Sequence, residues 1–335
     1  MTVKFSRVKG TYVHSGKSTL SFVNQASDDD IFIPEEPRYS LEDIILTQAT
    51  KDQILDVATY AENSQLIFET WGFNKTHEYS KRIGINLYGA PGTGKTMAAH
   101  AIAKHLGRKI LAVNYADIES KYVGETPKNI RKAFEAAKNT DSILFFDEAD
   151  AILSKRVTNM LSATDVSVNQ TRAVMLMLMN EYQDFIIFAT NFISNFDSAF
   201  MRRISVHVKF ELPDFECRKK LWQMYIPAEF AAQFENLDID ELAGKFDGLS
   251  GSDISNAVLN AALKAARFIP NGNFKNDALK AEYKASYTNS NKFDKQIFLE
   301  AVTDIFESKK ANYGEIAHTK NYNYNNPSAN TKEMI

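Results

Sequence analysis

The sequence predicts an α/β fold, a parallel sheet covered on both faces by helices in an αβα sandwich, followed by an α-helical region. Three observations predict it. Apolar runs alternate with helical patterns through the middle of the chain: IGINLY, RKILAVN, SILFFDEAD and DFIIFATN. Their near-continuous hydrophobicity is that of strands buried on both faces, as in parallel sheets. The first run leads straight into GAPGTGKT, Gly89 to Thr96, which fits the phosphate-binding pattern G-x-x-x-x-G-K-[ST]. From Pro213 onward no strand pattern is clear.

The phosphate loop needs these residue types. Gly89, Gly92 and Gly94 let the backbone take φ > 0 and bring N–H groups against a polyphosphate. Lys95 supplies a mobile charge for the β- and γ-phosphates, and the Thr96 hydroxyl can ligate Mg²⁺. MAAHAIAKHLG, Met97 to Gly107, reads as the helix leading out, with Gly107 as its stop. Its N-terminus adds affinity for an anion.

Composition narrows the classes. The chain has 335 residues, 44% hydrophobic and 24% charged, with a net charge of −3. That is room for a larger and a smaller domain, with no basic field to suggest nucleic acid or anionic membrane. Cys217 is the only cysteine, so no intramolecular disulfide can form. Neither a signal peptide nor an apolar run long enough to span a membrane is legible, and a cytoplasmic protein is expected.

In chain order, residues 1–38 read as a short β extension and acidic linker, with a hairpin around Ser15–Gly16. Gly16-Lys17-Ser18 imitates the end of a phosphate loop, but no helix pattern follows. Residues 39–213 form the α/β domain. Ser40 can cap a turn, and Ile54, Val57 and Ala58 have helical spacing. Thr126 and Pro127 suit the start of a helix whose apolar stripe is Ile130, Phe134 and Ala137. Before it, Tyr122, Val123 and Gly124 put an aromatic and a β-branched residue on a turn; packing on the surface is the plain alternative to a function there. In SILFFDEAD the strand ends in acids. Asp147 is placed to hold Mg²⁺ through its waters, and Glu148 is next in line to orient an attacking water. Met175, Met177 and Met179 read as core filler. Asn191 ends DFIIFATN, within reach of a γ-phosphate or water. Arg202 and Arg203 precede the strand SVHVKF. Residues 214–314 read as helices, with Ser250 or Ser252 as a cap, and 315–335 as a polar, Asn-rich, disordered tail.

These motifs together resemble the AAA+ ATPases, within the branch of membrane-remodelling, microtubule-severing and protein-unfolding hexamers. The likeness spans roughly Tyr39 to Ser308, through the phosphate loop, FFDEAD, ATN, DSAFMRR and LSGSDI. It implies a phosphate-loop NTPase core of five strands with a helical lid, ATP and Mg²⁺ as cofactors, and a homo-oligomeric ring, typically a hexamer. It implies nucleotide contacts from Pro91, Thr93 and Met97 in and after the loop. Ile44, Gly251 and Ser252 lie near the adenine in such a family. The resemblance further implies Asn191 as a sensor and Arg202 and Arg203 as fingers reaching a neighbour's γ-phosphate. Tyr122, Val123 and Gly124 match a pore loop that grips a threaded polypeptide. The arginines are adjacent, as in the severing and membrane-remodelling enzymes; a second-sensor arginine after LSGSD is absent. The implied activity is an ATP-driven motor that unfolds or disassembles a protein substrate, with an adaptor or a separate protease left open as partners. Two other readings compete: a regulatory ring that switches a partner without threading it, and a nucleic-acid helicase, suggested by DEAD and Ser162-Ala163-Thr164. The gaps between those motifs, the helical C-terminal part and the acidic charge oppose the helicase.

Overall fold

The computed structural model describes residues 32–76, 83–119, 125–154, 163–191, 196–267 and 292–322. The hairpin expected near Ser15 and the turn at Tyr122–Gly124 lie outside the described residues.

Five parallel strands make one sheet: β1 (Ile83–Gly89), β2 (Ile110–Asn114), β3 (Ile143–Asp147), β4 (Phe185–Thr190) and β5 (Val206–Phe210), in the order β2-β3-β4-β1-β5. Successive side chains of a strand point to opposite faces, and the two cores follow that rule. Along β3, Leu144 and Phe146 join the core built on Ile130, Phe134, Met175 and Met179. Ile143 and Phe145 face the other way, against Ile54, Val57 and Ala101. Hence α4 (Glu125–Asn139) and α6 (Ala163–Glu181) cover one face, and α1 (Gln48–Glu62) and α2 (Lys95–His105) the other. Phe146 stacks on Phe188 at 5.6 Å between ring centroids, and both are fully buried. Each such ring contributes about 1.5–3 kcal/mol by its burial. The alanines of α2 (Ala98, Ala99, Ala101, Ala103) are all 0% exposed; their small side chains let the helix lie close to the sheet behind the phosphate loop.

Each edge of the sheet carries a contact from another segment, which blunts the edge locally. The linker reaches the β2 edge, where Glu35 N–H donates to Ile110 O (2.8 Å) and Ile110 N–H to Glu35 O (3.0 Å). At the β5 edge, Thr50 Oγ1 of α1 donates to Lys209 O at 3.1 Å. Short helices α3 (Tyr115–Ile118), α5 (Asp150–Leu153) and α7 (Ser198–Met201) fill the loops after β2, β3 and β4.

The helical region comprises α8 (Phe215–Tyr225), α9 (Ala228–Ala231), α10 (Ile239–Lys245), α11 (Gly251–Ala266) and α12 (Lys295–Tyr322). Its own core is built on Trp222, Leu242, Phe246, Ile254 and Phe298. Four expectations are corrected. A two-residue parallel pair, β6 (Phe234–Glu235) with β7 (Phe293–Asp294), sits among these helices. Such a pair is too short to have a sequence period. Helix α4 already includes Glu125, so Thr126 lies inside it, buried, rather than capping it. Met177 is 36% exposed while Met175 and Met179 are buried, because two residues along a helix turn a side chain to the opposite face. Backbone helix α12 continues through Tyr322, into the stretch expected to be irregular. Among the described residues no helix is long and apolar enough to cross a membrane.

Candidate functional site

The carboxyl ends of β1, β3 and β4 stand side by side, where ligands bind in open α/β sheets. β4 lies between the other two, so their loops converge over its tip. The backbone of the phosphate loop takes the predicted positive φ at Gly89 (149°), Gly92 (73°) and Gly94 (97°). At Gly89 a Cβ would overlap the carbonyl of Phe210 on β5, so the strand end admits only glycine. Helix α2 begins at Lys95, directing its N-terminal N–H groups and dipole toward the loop.

Lys95 is 9% exposed, and its Nζ donates to Gly89 O (2.9 Å), Ala90 O (2.9 Å) and Asn191 Oδ1 (2.8 Å). Burial lowers the pKa of its ammonium, with the carboxylates of Asp147 and Asp150 opposing that shift. The lysine thus joins the β1 loop to the β4 tip. Thr96 Oγ1 donates to Asp147 Oδ2 at 2.8 Å, bringing together a hydroxyl and a carboxylate oxygen, hard donors of the kind Mg²⁺ takes. Asp147 Oδ1 accepts from the Glu148 N–H at 2.9 Å. Glu148 itself has φ 50°, a left-handed conformation that residues other than glycine adopt at a cost of about 1–3 kcal/mol.

These groups line a cavity of about 490 Å³ between the sheet and the helical region. Pro91, Gly92, Thr93, Gly94, Thr96 and Met97 line it from the phosphate loop, and Asp147, Glu148 and Asn191 from the strand tips. Thr93 is internally tied, its Oγ1 donating to Ala90 O at 2.7 Å. Ile44 and Leu46 line it beside Gly94, and Gly251 and Ser252 close it from α11. Ser252 N–H donates to Gly92 O at 3.3 Å, so the helical region is docked directly on the phosphate loop. Of the two candidate caps, Ser250 is the one used: its Oγ accepts from Asp253 N–H, and Asp253 returns the bond to Ser250 N–H.

Arg202 and Arg203 do not line this cavity. Arg202 is exposed, its Nε donating to Ser198 O at 3.3 Å. Arg203 is held at Asn180 Oδ1 (2.8 Å) and Ala199 O (2.8 Å). Sequence reasoning overlooked Asp150. Its carboxylate accepts from Thr190 Oγ1 and, at 3.2 Å, from Asn191 N–H, bracing the tip that carries Asn191. The available signal was an acid three residues after Asp147, one helical turn into the loop.

A parallel sheet with a glycine loop, a buried lysine, paired acids at the next strand tip and a helical cover defines a phosphate-loop nucleotide-binding domain with its lid. Comparison with known proteins gives the family. Residues 85–212 match the ATPase family associated with various cellular activities (AAA), and residues 236–271 match the AAA+ lid domain. Residues 85–212 are therefore an AAA ATPase domain, followed by its AAA+ lid. It is 31% identical over 254 residues to cell division protein C of Sulfolobus acidocaldarius, covering 73% of this chain and 64% of that protein. It is 33% identical over 239 residues to the probable 26S proteasome regulatory subunit 4 of Caenorhabditis elegans, covering 66% of this chain and 53% of that one. With Protein SAV of S. acidocaldarius it shares 32% over 234 residues, 69% of this chain and 29% of the relative. The chain therefore spans less than two thirds of the length of each of these relatives.

Proposed function

We propose that this chain is an ATP-hydrolysing motor that remodels, unfolds or disassembles a protein substrate, working as a homo-oligomeric ring. The observation that carries the nucleotide chemistry is the cluster at the strand tips. Lys95 bridges the phosphate loop to Asn191, while Thr96 meets Asp147 beside Glu148. In this reading Lys95 contacts the β- and γ-phosphates, Thr96 and Asp147 hold Mg²⁺, Glu148 orients the attacking water and Asn191 senses the γ-phosphate. Ile44, Gly251 and Ser252 bound the base end. The chain divides into an extension at 1–38, the α/β domain at 39–213 and a lid at 214–314.

Arg202 supports the ring: an exposed guanidinium away from its own cavity suits a finger acting on a neighbour's nucleotide, with Arg203 behind it. The names of two relatives, a proteasome regulatory subunit and a cell division protein, support protein substrates rather than nucleic acid. Threading through the pore by Tyr122, Val123 and Gly124 is part of the same proposal, as is a cytoplasmic setting.

The test is Glu148→Gln. It is expected to bind ATP and Mg²⁺ but hydrolyse ATP at least about a hundredfold more slowly, and to retain substrate for capture and mass spectrometry. Near-normal turnover in Glu148→Gln would sink the assignment.

A further inference from the structure

The link between lid and phosphate loop does not end at Ser252. Asp253, in the first turn of α11, accepts from Ser250 N–H (2.8 Å) and Ser250 Oγ (2.7 Å). The same oxygen, Oδ2, accepts from Lys309 Nζ on α12. Ser250 is 1% exposed, and the Lys309 and Asp253 side chains are 16% and 24% exposed, so the pair is shielded from water. Ser250 Oγ in turn shares a hydrogen bond with Ser252 Oγ at 3.2 Å, and Ser252 N–H reaches Gly92 O. A continuous chain of polar contacts thus runs from α12 to the phosphate loop.

A cation is the wrong sign for a helix N-terminus, where the macrodipole favours anions. Lys309 is therefore not a generic stabiliser of α11. Nor does α12 need it for attachment, since Phe298, Ala301 and Val302 already sit fully buried in the lid core. What Lys309 does contribute is a fixed position for Asp253. Burial acts to raise the Asp253 carboxyl, and the bonds from Lys309 and Ser250 outweigh it, holding the group ionised below its ordinary range. An ionised Asp253 orients both polar groups of Ser250, the residue that presents Gly251 and Ser252 to the cavity.

We infer that Lys309 is a positioning residue for nucleotide binding: it ties α12 to the first turn of α11 and so holds that turn on the phosphate loop. The inference rests on the cavity being the nucleotide site.

The experiment measures affinity of the full chain for a non-hydrolysable ATP analogue, together with the ATPase KM and kcat. Lys309→Met removes the charge and keeps the stem. Lys309→Arg restores a donor. Lys310→Met, which removes a charge from the next residue, whose ammonium lies over the Phe306 ring, is the control. Lys309→Met is expected to bind about tenfold more weakly, the equivalent of about 1.4 kcal/mol, with KM raised in step and kcat at saturating ATP retained. Lys309→Arg and Lys310→Met are expected within about threefold of wild type, on the same scale. If Lys309→Met does not fold, Lys309→Gln is measured against the same thresholds. Unchanged affinity in Lys309→Met, with normal binding by wild type, overturns the tether alone. An equal loss in Lys310→Met overturns it too. Absence of ATP binding by wild type overturns the nucleotide reading and the tether with it.

Discussion

Gly92→Ala tests whether docking of the lid on the phosphate loop sets nucleotide affinity. A Cβ at Gly92 would overlap Ser252 Oγ, lie 2.7 Å from Ser250 Oγ and 2.9 Å from Ser252 Cβ. Rotating the Ser252 hydroxyl away relieves the first contact but not the third. The second falls on the cap hydroxyl that Asp253 holds in place. Added to this, φ at position 92 is 73°, and a left-handed conformation costs an alanine about 1–2 kcal/mol. Disturbing an N-cap costs about 1 kcal/mol more. The docked arrangement should therefore lose about 2–3 kcal/mol, a shift of roughly 30- to 150-fold toward an undocked lid. ATP affinity should fall by that factor, while the melting temperature changes little, because the lid retains its own core around Trp222 and Phe298. In Gly92→Ala with Ser252→Gly, both Ser252 contacts disappear while the contact with Ser250 Oγ and the backbone strain stay, so affinity should recover in part, by up to about tenfold. Titration calorimetry with a non-hydrolysable analogue reads both. The reasoning is refuted if Gly92→Ala binds as wild type does, or if the second substitution recovers nothing.

Shared catalysis predicts that Arg202→Ala binds ATP yet hydrolyses it about 10³-fold more slowly or worse. Mixing it with Lys95→Ala should give more activity than the weighted average at some ratio, and a strictly linear dependence argues against shared sites. For Tyr122→Ala, ATPase activity and ring assembly should persist while substrate unfolding is lost, with Tyr122→Phe active because the ring face matters more than the hydroxyl; unfolding at the wild-type rate by Tyr122→Ala marks a switch ring. Burial lowers the pKa of His100 and His207 below the ordinary 6.5, although Glu35 partly opposes this at His100. Between the folded and unfolded values the unfolded chain binds more protons, so this stability is complete above about pH 6.5 and is lost as pH falls, at up to about 1.4 kcal/mol per pH unit for each ring. Thermal melts at pH 7.5 and 5.5 should show the drop, and it should shrink when both histidines are replaced by glutamine; an unchanged drop excludes them as its source.

What was legible in the sequence was whatever repeats or whatever a single local geometry demands. The strands were readable because both faces of β3 and β4 are buried, which forces unbroken apolar runs. The phosphate loop was readable because its three positive φ values leave glycine little competition. Helix ends and faces were less so. Thr126 looked like a cap on chemistry alone, but nothing local distinguishes a cap from a first-turn residue. Met177 shared its residue type with Met175 and Met179, and only the helical phase separates it from them.

The residues that reasoning from pattern missed share one property: their partners are distant in sequence. Asp150 acts on Thr190 and Asn191, and Lys309 on Asp253. None has a motif, because a carboxylate or ammonium finds its role only when the fold delivers the acceptor or donor. In this chain those long-range contacts brace the parts that motifs do announce. Asp150 fixes the tip bearing Asn191, and Asp253 with Lys309 fixes the turn bearing Ser252. The loop, acids and lid motif name the groups gathered around the cavity, while the unannounced charges set how firmly those groups are held at one distance from each other. Affinity and coupling between lid and loop should therefore vary among relatives of equal motif quality, according to whether an ion pair like Lys309–Asp253 is present.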